Sequence, residues 1–547
     1  MYCLTSRRIN IVCIFAVANI VAACSEPISS QTEDSSPLSF ERVGQAILPD
    51  GTLDLAPYSK LAPWPHTDGN FLYSGCYVHA PLTDTPAADR CFMVIDASEP
   101  KRPVRRVTIH PFDPEQSPPP PPQHRVWADD YPFPNLPVAS PCKVDWDDPK
   151  ISEAVTAPHC WDPGWNTQTH YVAASPGRLL AVNLERFRYG TDRQANLHGV
   201  RIYDIESPLT PVLRSQWDAP TSLPDPVTGI SPDSRGVHHF NFHGDLLFLG
   251  TEYAGFVGRI LVILDLGDPE SPVQLGKWWL PGQRTPEEDH LRDWVQRPLF
   301  SRPVVELEPG LWSRYVGMHY VTVADDIAYL AYHQAGLVIL DVTDPAAPEL
   351  LSWTDYLNPD AGLSPANARE CQRAAGRDRA ACGNSHTARR IPGTSLLMVE
   401  DEYFTCPFGH VRIFDVADPK APKIRGELLL DESVDCDPAE PMRARTHERF
   451  PMRGPSAHLG NAWNETVYLT AWYGSGVQAI DYSDPARPTV IGSYTYRISD
   501  ELASSNIRYA GADTYDIIIG PGNLLYVADG HAGLRVLRLD GAGDHRR

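Results

Sequence analysis

One short motif recurs along the chain: CFMVIDASEPKRP from Cys91, GVRIYDIESPLTP from Gly199, RILVILDLGDPESP from Arg259, GLVILDVTDPAAP from Gly336, HVRIFDVADPKAP from His410 and GVQAIDYSDPARP from Gly476. A degenerate further copy, GLRVLRLDG, starts at Gly533. Each copy is a run of β-branched and aliphatic residues, the composition of a strand, that stops at Asp or Glu followed by Pro. Proline donates no ladder hydrogen bond, so it closes one strand, and the second proline opens the next at an edge position that tolerates it. Two more strand-like segments precede each copy, clearest in HYVTVADDIAYLAYHQAGLVILD from His319 and DIIIGPGNLLYVADGHAGLRVLRL from Asp516. Units of this kind predict an all-β fold of four-stranded antiparallel sheets. A lone sheet of that size cannot bury its faces, and repeats of this length bury them by stacking radially. The expected architecture is a seven-bladed β-propeller. The last copy lacks an outer strand, and FERVGQAILPDG from Phe40 resembles the missing one, so the N-terminal strand is expected to close the ring.

The pattern LxIxDxxDPxxP in these copies resembles the LVIVD repeat family of β-propellers, and the resemblance covers most of the chain beyond residue 39. It implies the fold and leaves the role open, because one architecture hosts many functions.

The beginning of the chain has a different logic. Arg7 and Arg8 precede an apolar run from Ile11 to Val21 and then Val21-Ala22-Ala23-Cys24, the layout of an export signal over residues 1–23. The run is too short to span a bilayer. A cysteine directly after two small residues resembles the lipobox of bacterial lipoproteins, which implies cleavage before Cys24 and its lipidation; the alternative is an ordinary secretory peptide with an incidental cysteine. Residues 24–39, rich in Ser, Glu, Pro and Gln, read as a flexible tether. The expectation is a monomeric lipoprotein held to the membrane of a bacterial cell envelope, with one propeller domain over residues 40–547.

Cysteine usage agrees with export. Of 11 cysteines, Cys3, Cys13 and Cys24 fall in this leader, and an even number remains. Proximity suggests Cys76 with Cys91, Cys142 with Cys160, Cys371 with Cys382 and Cys406 with Cys436, although other connectivities are open. Zinc ligation lacks any CxxC pair. A net charge of −22 argues against nucleic acid as a partner, since phosphate binding needs a basic face. No GxSxG, P-loop, dinucleotide fingerprint or HExxH occurs, which lowers the weight of hydrolase and nucleotide-dependent classes.

In a four-stranded blade the turns from first to second and from third to fourth strand lie on one face of the ring, and the remaining connections lie on the other. The extra length sits on that second face, near 111–168, 281–315, 356–384 and 431–455 between blades and over 191–198 within one. Long loops around one face of a rigid ring mark it as the functional face, open to a protein, peptide or small-molecule ligand. The pentaproline Pro118 to Pro122, the acidic cluster Glu287, Glu288, Asp289 and His290, and loop aromatics such as Trp127, Trp161, Trp294 and Trp312 lie there too; packing and solvation explain them as well as binding does.

The same face carries the main candidate. Counting back ten residues from an apolar residue early in each second strand gives His170, His238, His319, His386, His458 and Asp516, with His66 a less secure counterpart. Counting forward fourteen gives Glu252, His333, Glu400 and Trp472. A ring of imidazoles backed by carboxylates suits a transition metal such as Cu, Fe or Zn: nitrogen ligands inside and acceptors behind that set the tautomer. His238, His319, His386 and His458 are then the ligands, with Glu252, His333 and Glu400 orienting them. This arrangement is similar to the axial histidines of carotenoid cleavage oxygenases and selenium-binding, methanethiol-oxidase-like propellers, without their local motifs. The alternative is structural: each blade entrance needs a polar cap, and Asp516 in the series fits that role. Two functions follow, a binding or scaffold module working through the looped face, or a metal-dependent oxidative enzyme.

Overall fold

The computed structural model describes residues 38–54, 58–63, 70–76, 91–109, 167–186, 199–220, 236–256, 258–281, 283–284, 306–308, 311–312, 317–356, 383–402, 408–434, 454–496, 512–530 and 532–540. The leader, Cys24, His66, the proline run and six of the eight candidate disulfide cysteines (Cys142, Cys160, Cys371, Cys382, Cys406 and Cys436) lie outside these residues. Among the described residues no helix is long and apolar enough to cross a membrane.

The aliphatic run of each repeat forms the third strand of a blade: Phe92–Asp96, Gly199–Asp204, Arg259–Asp265, Leu337–Asp341, Val411–Asp415, Val477–Asp481 and Gly533–Asp540. These strands are buried on both faces because a neighbouring blade covers each one; Val94, Ile202, Val262, Ile339, Ile413 and Ala479 have no exposed surface. Pairing within each blade runs in chain order from an innermost to an outer strand, always antiparallel, which makes seven four-stranded sheets around the ring. In the seventh, Gly533–Asp540 pairs with Ser39–Gln45 from the other end of the chain, so the N-terminal strand closes the ring. Closure removes the exposed edge that an incomplete last sheet leaves.

The repeat acidic residue does more than stop a strand. Its carboxylate accepts the N–H two residues on, at 3.1 Å in Asp96, 2.9 Å in Asp204 and Asp341, 2.8 Å in Asp265 and Asp481, and 3.0 Å in Asp415. This Asx-type turn reverses the chain before the proline. The outer strand that follows carries a bulge at one place in each blade, as between Ile263/Leu264, Ile339/Leu340 and Ile413/Phe414. In blades three, four, five and seven a small residue stands there and meets the motif proline of the next blade. A Cβ on Gly276 would stand 2.1 Å from the Pro345 carbonyl oxygen, and one on Gly426 the same distance from that of Pro485. In blade four the small residue is Ser352, whose hydroxyl donates to the Pro419 carbonyl at 2.6 Å. The Asp-Pro element is therefore also the outer contact between blades. Cys76 and Cys91 form a disulfide inside blade one, with Cα atoms 5.3 Å apart.

Candidate metal centre

Seven innermost strands converge on the axis: Tyr58–Pro63, Val172–Ala174, Val237–His243, Tyr320–Ala324, Ser385–Arg390, Gly460–Ala462 and Thr514–Ile519. At their starts a polar side chain reaches sideways to the main chain of the next blade. His319 Nδ1 donates to the His386 carbonyl at 2.9 Å, His386 Nδ1 to the His458 carbonyl at 3.3 Å, and His458 Nδ1 to the Tyr515 carbonyl at 2.6 Å. Ser59 makes the equivalent bond to the His170 carbonyl. These contacts define one register: Ser59, His170, His238, His319, His386, His458 and Tyr515.

Asp516 stands one residue beyond this register, because the first hairpin of blade seven is longer than the two-residue turn that links His243 to Leu246 in blade three. It serves as a ring clasp instead. Fully buried, it accepts from Lys60 Nζ at 2.8 Å and from the Leu61 N–H at 2.9 Å, joining blade seven to blade one. The same variation in turn length moves the backing carboxylates. Blade five pairs Arg390 with Leu397 across its turn, and the residue at the end of the second strand in the register of Glu252 and His333 is Glu402 rather than Glu400. In blade two it is Glu185, and in blade six Tyr473. Glu400 faces a neighbouring blade, where it accepts from the Tyr468 hydroxyl at 2.6 Å. His333 lies with its ring centroid 4.7 Å from that of His319, in a left-handed backbone (φ 48°) shared by Tyr473 (φ 31°). Glu252 is buried at its strand end.

The Nδ1 bonds fix the tautomers. A nitrogen that faces a carbonyl or carboxylate oxygen must carry the proton, so the other nitrogen presents a lone pair. His238 Nδ1 faces Glu185 Oε2 at 2.5 Å, and Glu185 is held in turn by Arg259, 3.1 Å from its other oxygen. With both Nδ1 atoms protonated, His238 Nε2 and His319 Nε2 face each other at 2.9 Å. Ring centroids continue the chain: 4.7 Å from His170 to His238, 3.7 Å from His319 to His386 and 4.3 Å from His386 to His458.

His239, which the counting of repeats passes over, sits inside this arc. Its ring centroid is 4.3 Å from that of His238, 4.1 Å from His319 and 5.8 Å from both His170 and His386. It is 1% exposed, and neither ring nitrogen has a hydrogen-bond partner among the described residues. The signal that could have found it is the His238-His239 doublet at the one blade entrance that carries two imidazoles.

Among the described residues, three sets bring ligand atoms within 4.8 Å of one another: His170, His238 and His239; His239, His319 and His386; and His386, Glu402 and His458. Burial disfavours charge throughout the site: the imidazoles of His239, His319 and His386 stay neutral, and the Glu402 carboxyl keeps its proton to about pH 8, so a metal bound here would displace that proton. Burial, reinforced by neighbouring imidazoles, holds His239 and His319 well below the usual histidine range. Burial pushes His386 down to about 3, and raises the Glu402 and Glu400 carboxyls to about 8. Imidazole lone pairs and a carboxylate in a dry cavity form an N/O donor set fit for a first-row transition metal.

Residues 319–355, which contain the four strands of blade four, match the LVIVD repeat family model. No curated protein matches the chain in sequence. Among solved structures, Sqt1 from Saccharomyces cerevisiae is 8% identical with a TM-score of 0.43, over 91% of this chain and 97% of that one. Sqt1 from Chaetomium thermophilum is 12% identical with a TM-score of 0.42, over 91% and 99%. A protein from Lactobacillus plantarum is 12% identical with a TM-score of 0.35, over 70% and 72%. These likenesses carry no argument about function. The chain is a seven-bladed β-propeller whose fourth blade matches the LVIVD repeat.

Proposed function

We propose that the protein is an exported, lipid-tethered propeller whose axial histidine cluster binds a transition-metal ion. The observation that carries this is the pair His238 and His319: both Nδ1 atoms are committed to oxygens, and the Nε2 lone pairs stand 2.9 Å apart. Two lone pairs at that distance repel unless a shared proton or a metal ion lies between them, and we assign the metal ion. Two nitrogens at about 2.05 Å from one ion and at right angles are about 2.9 Å apart, whereas tetrahedral ligands are about 3.3 Å apart. Both spacings are close to the one seen, so the pair suits a first-row transition-metal ion such as copper, iron or zinc. His239, buried and with neither ring nitrogen hydrogen-bonded among the described residues, shares one candidate set with His238 and another with His319, which makes it the natural third nitrogen.

An ion held here supplies Lewis acidity or one-electron chemistry. Glu185 holds His238 in one tautomer, and the next-blade carbonyls do the same for His319, His386 and His458. Burial keeps water from His170, His239, His319, His386 and His458, while His238 is the partly exposed member of the cluster, where a substrate or partner would approach. The leader and Cys24 support the tether, and the disulfide Cys76–Cys91 fits an oxidising compartment.

Metal content of the mature protein purified without chelator tests the reading. We expect at least one copper, iron or zinc ion per chain, lost in His239→Ala and His319→Ala. A metal-free protein whose melting temperature does not move on addition of Cu(II), Fe(II) or Zn(II) overturns it and leaves the scaffold reading, in which the ring hydrogen bonds serve only to join blades.

A further inference from the structure

We infer that the cluster holds a second, chemically distinct ion, bound by His386, His458 and Glu402 as a two-histidine, one-carboxylate site. This rests on the metal-binding reading above and adds to it the number and kind of ions.

The three candidate sets overlap, and the overlaps decide how they can be filled. His239 belongs to the first two and His386 to the last two. His386 Nδ1 is committed to the His458 carbonyl and the Thr387 hydroxyl, so this residue has one nitrogen to give and can serve one ion. The first and third sets share no residue. Two ions can occupy those together, with His319 beside both, 2.9 Å from His238 by its Nε2 and 3.7 Å from His386 between ring centroids. One ion cannot use them all, since a four- to six-coordinate sphere has no room for seven protein donors reaching from five blades.

Glu402 is the second observation. It is 4% exposed, and its described oxygen contacts are the Tyr473 hydroxyl, which donates to Oε1, and the two imidazoles. His386 Nε2 lies 3.6 Å from Oε2 and His458 Nε2 lies 3.7 Å from Oε1. Both gaps are too long for hydrogen bonds and close to the roughly 3.3 Å edge of a coordination tetrahedron. The backbone around Glu402 is pinned: its N–H donates to the Asn384 carbonyl at 3.0 Å, and Asn384 Nδ2 donates to its carbonyl at 2.7 Å. A carboxylate locked between two imidazoles at ligand spacing is a built site. Its N2O donor set is harder than the all-nitrogen set around His239, so it favours Fe(II) or Zn(II), while the all-nitrogen set favours copper. Arg259, paired with Glu185 at 3.1 Å, is close enough to favour the charged form of Glu402 as well, and burial outweighs it.

Titrating the mature, metal-depleted protein with Co(II) under anaerobic conditions tests this. Two equivalents are expected, with two sets of visible d–d bands filled in sequence. Glu402→Gln keeps an acceptor for Tyr473 and should bind one equivalent and lose one band set; His239→Ala should lose the other. No binding by the unmodified protein overturns the metal-binding reading itself. A single equivalent in the unmodified protein, or two equivalents retained by Glu402→Gln, overturns the second ion and leaves the first. Should Glu402→Gln fail to fold, the number of equivalents in the unmodified protein still decides.

Discussion

Each blade meets the next at two places, and the two are built differently. At the rim, a small residue at the outer-strand bulge lies under the proline carbonyl of the following Asp-Pro turn, as Gly276 does against Pro345 and Gly426 against Pro485. At the axis, a side chain at the start of the innermost strand bonds a main-chain carbonyl of the following blade, as His319, His386, His458 and Ser59 do. Where glycine stands at the rim the contact is steric, because the partner is backbone and cannot easily move aside. The axial contact asks only for a donor. Serine and histidine both satisfy it, so the choice of histidine in five consecutive blades is free to serve chemistry as well as packing.

The largest effect should come from the ion pair that joins blades seven and one at the axis. Lys60→Met leaves Asp516 buried and uncompensated, and we expect a loss of about 3–5 kcal/mol in denaturant unfolding. Lys60→Met with Asp516→Leu should recover most of it. A single variant that melts normally would show that the clasp does not hold the ring. At the rim, Gly276→Ala forces a Cβ against a fixed carbonyl, and overpacking of this kind costs about 1–3 kcal/mol. The same substitution at Gly244, where a Cβ meets nothing within 4 Å, costs only the strain of its positive φ (60°) and should be the milder change. Equal losses would mean that backbone conformation, not the Pro345 contact, sets the rim.

The smallest effect concerns the exposed Asx turns. In Asp341 and Asp415 hydrogen bonds from the following turn hold the carboxyl below its usual range. In Asp96 burial opposes ionisation, but Ser98 and Arg106 outweigh it and the shift is again downward. A carboxyl whose folded value is depressed contributes stability above its unfolded value, near 3.9, and loses it as pH falls through the lower folded value. The melting temperature should thus be level from pH 7 to pH 5 on this account and decline below about pH 4. Asp341→Asn, which keeps an acceptor but cannot titrate, should shallow that decline slightly; an unchanged slope would place the acid sensitivity elsewhere.

Much of this was legible in the residues. The strand runs, the Asp-Pro stops and the missing outer strand each state a local rule, and the blades and the ring closure follow from repeating it. The candidate site was legible in part. His170, His238, His319, His386 and His458 share a register that counting recovers. Asp516 and Glu400 entered by the same counting but sit elsewhere, since hairpins of unequal length shift the positions being counted. Glu402, Glu185 and His239 were missed for that reason and because His239 occupies the next position along its strand.

By itself the sequence determined how many blades form, where each strand stops and which end of the blade gathers imidazoles, because these depend on short-range periodicity and on proline's missing donor. Only the tertiary structure decided which nitrogen of each histidine is spent on the neighbouring blade, which carboxylate stands between which imidazoles, and that Lys60 finds Asp516 across 456 residues of chain. Those are contacts between blades, set by the closure of the ring, and a linear pattern holds no record of the angle at which one blade meets the next.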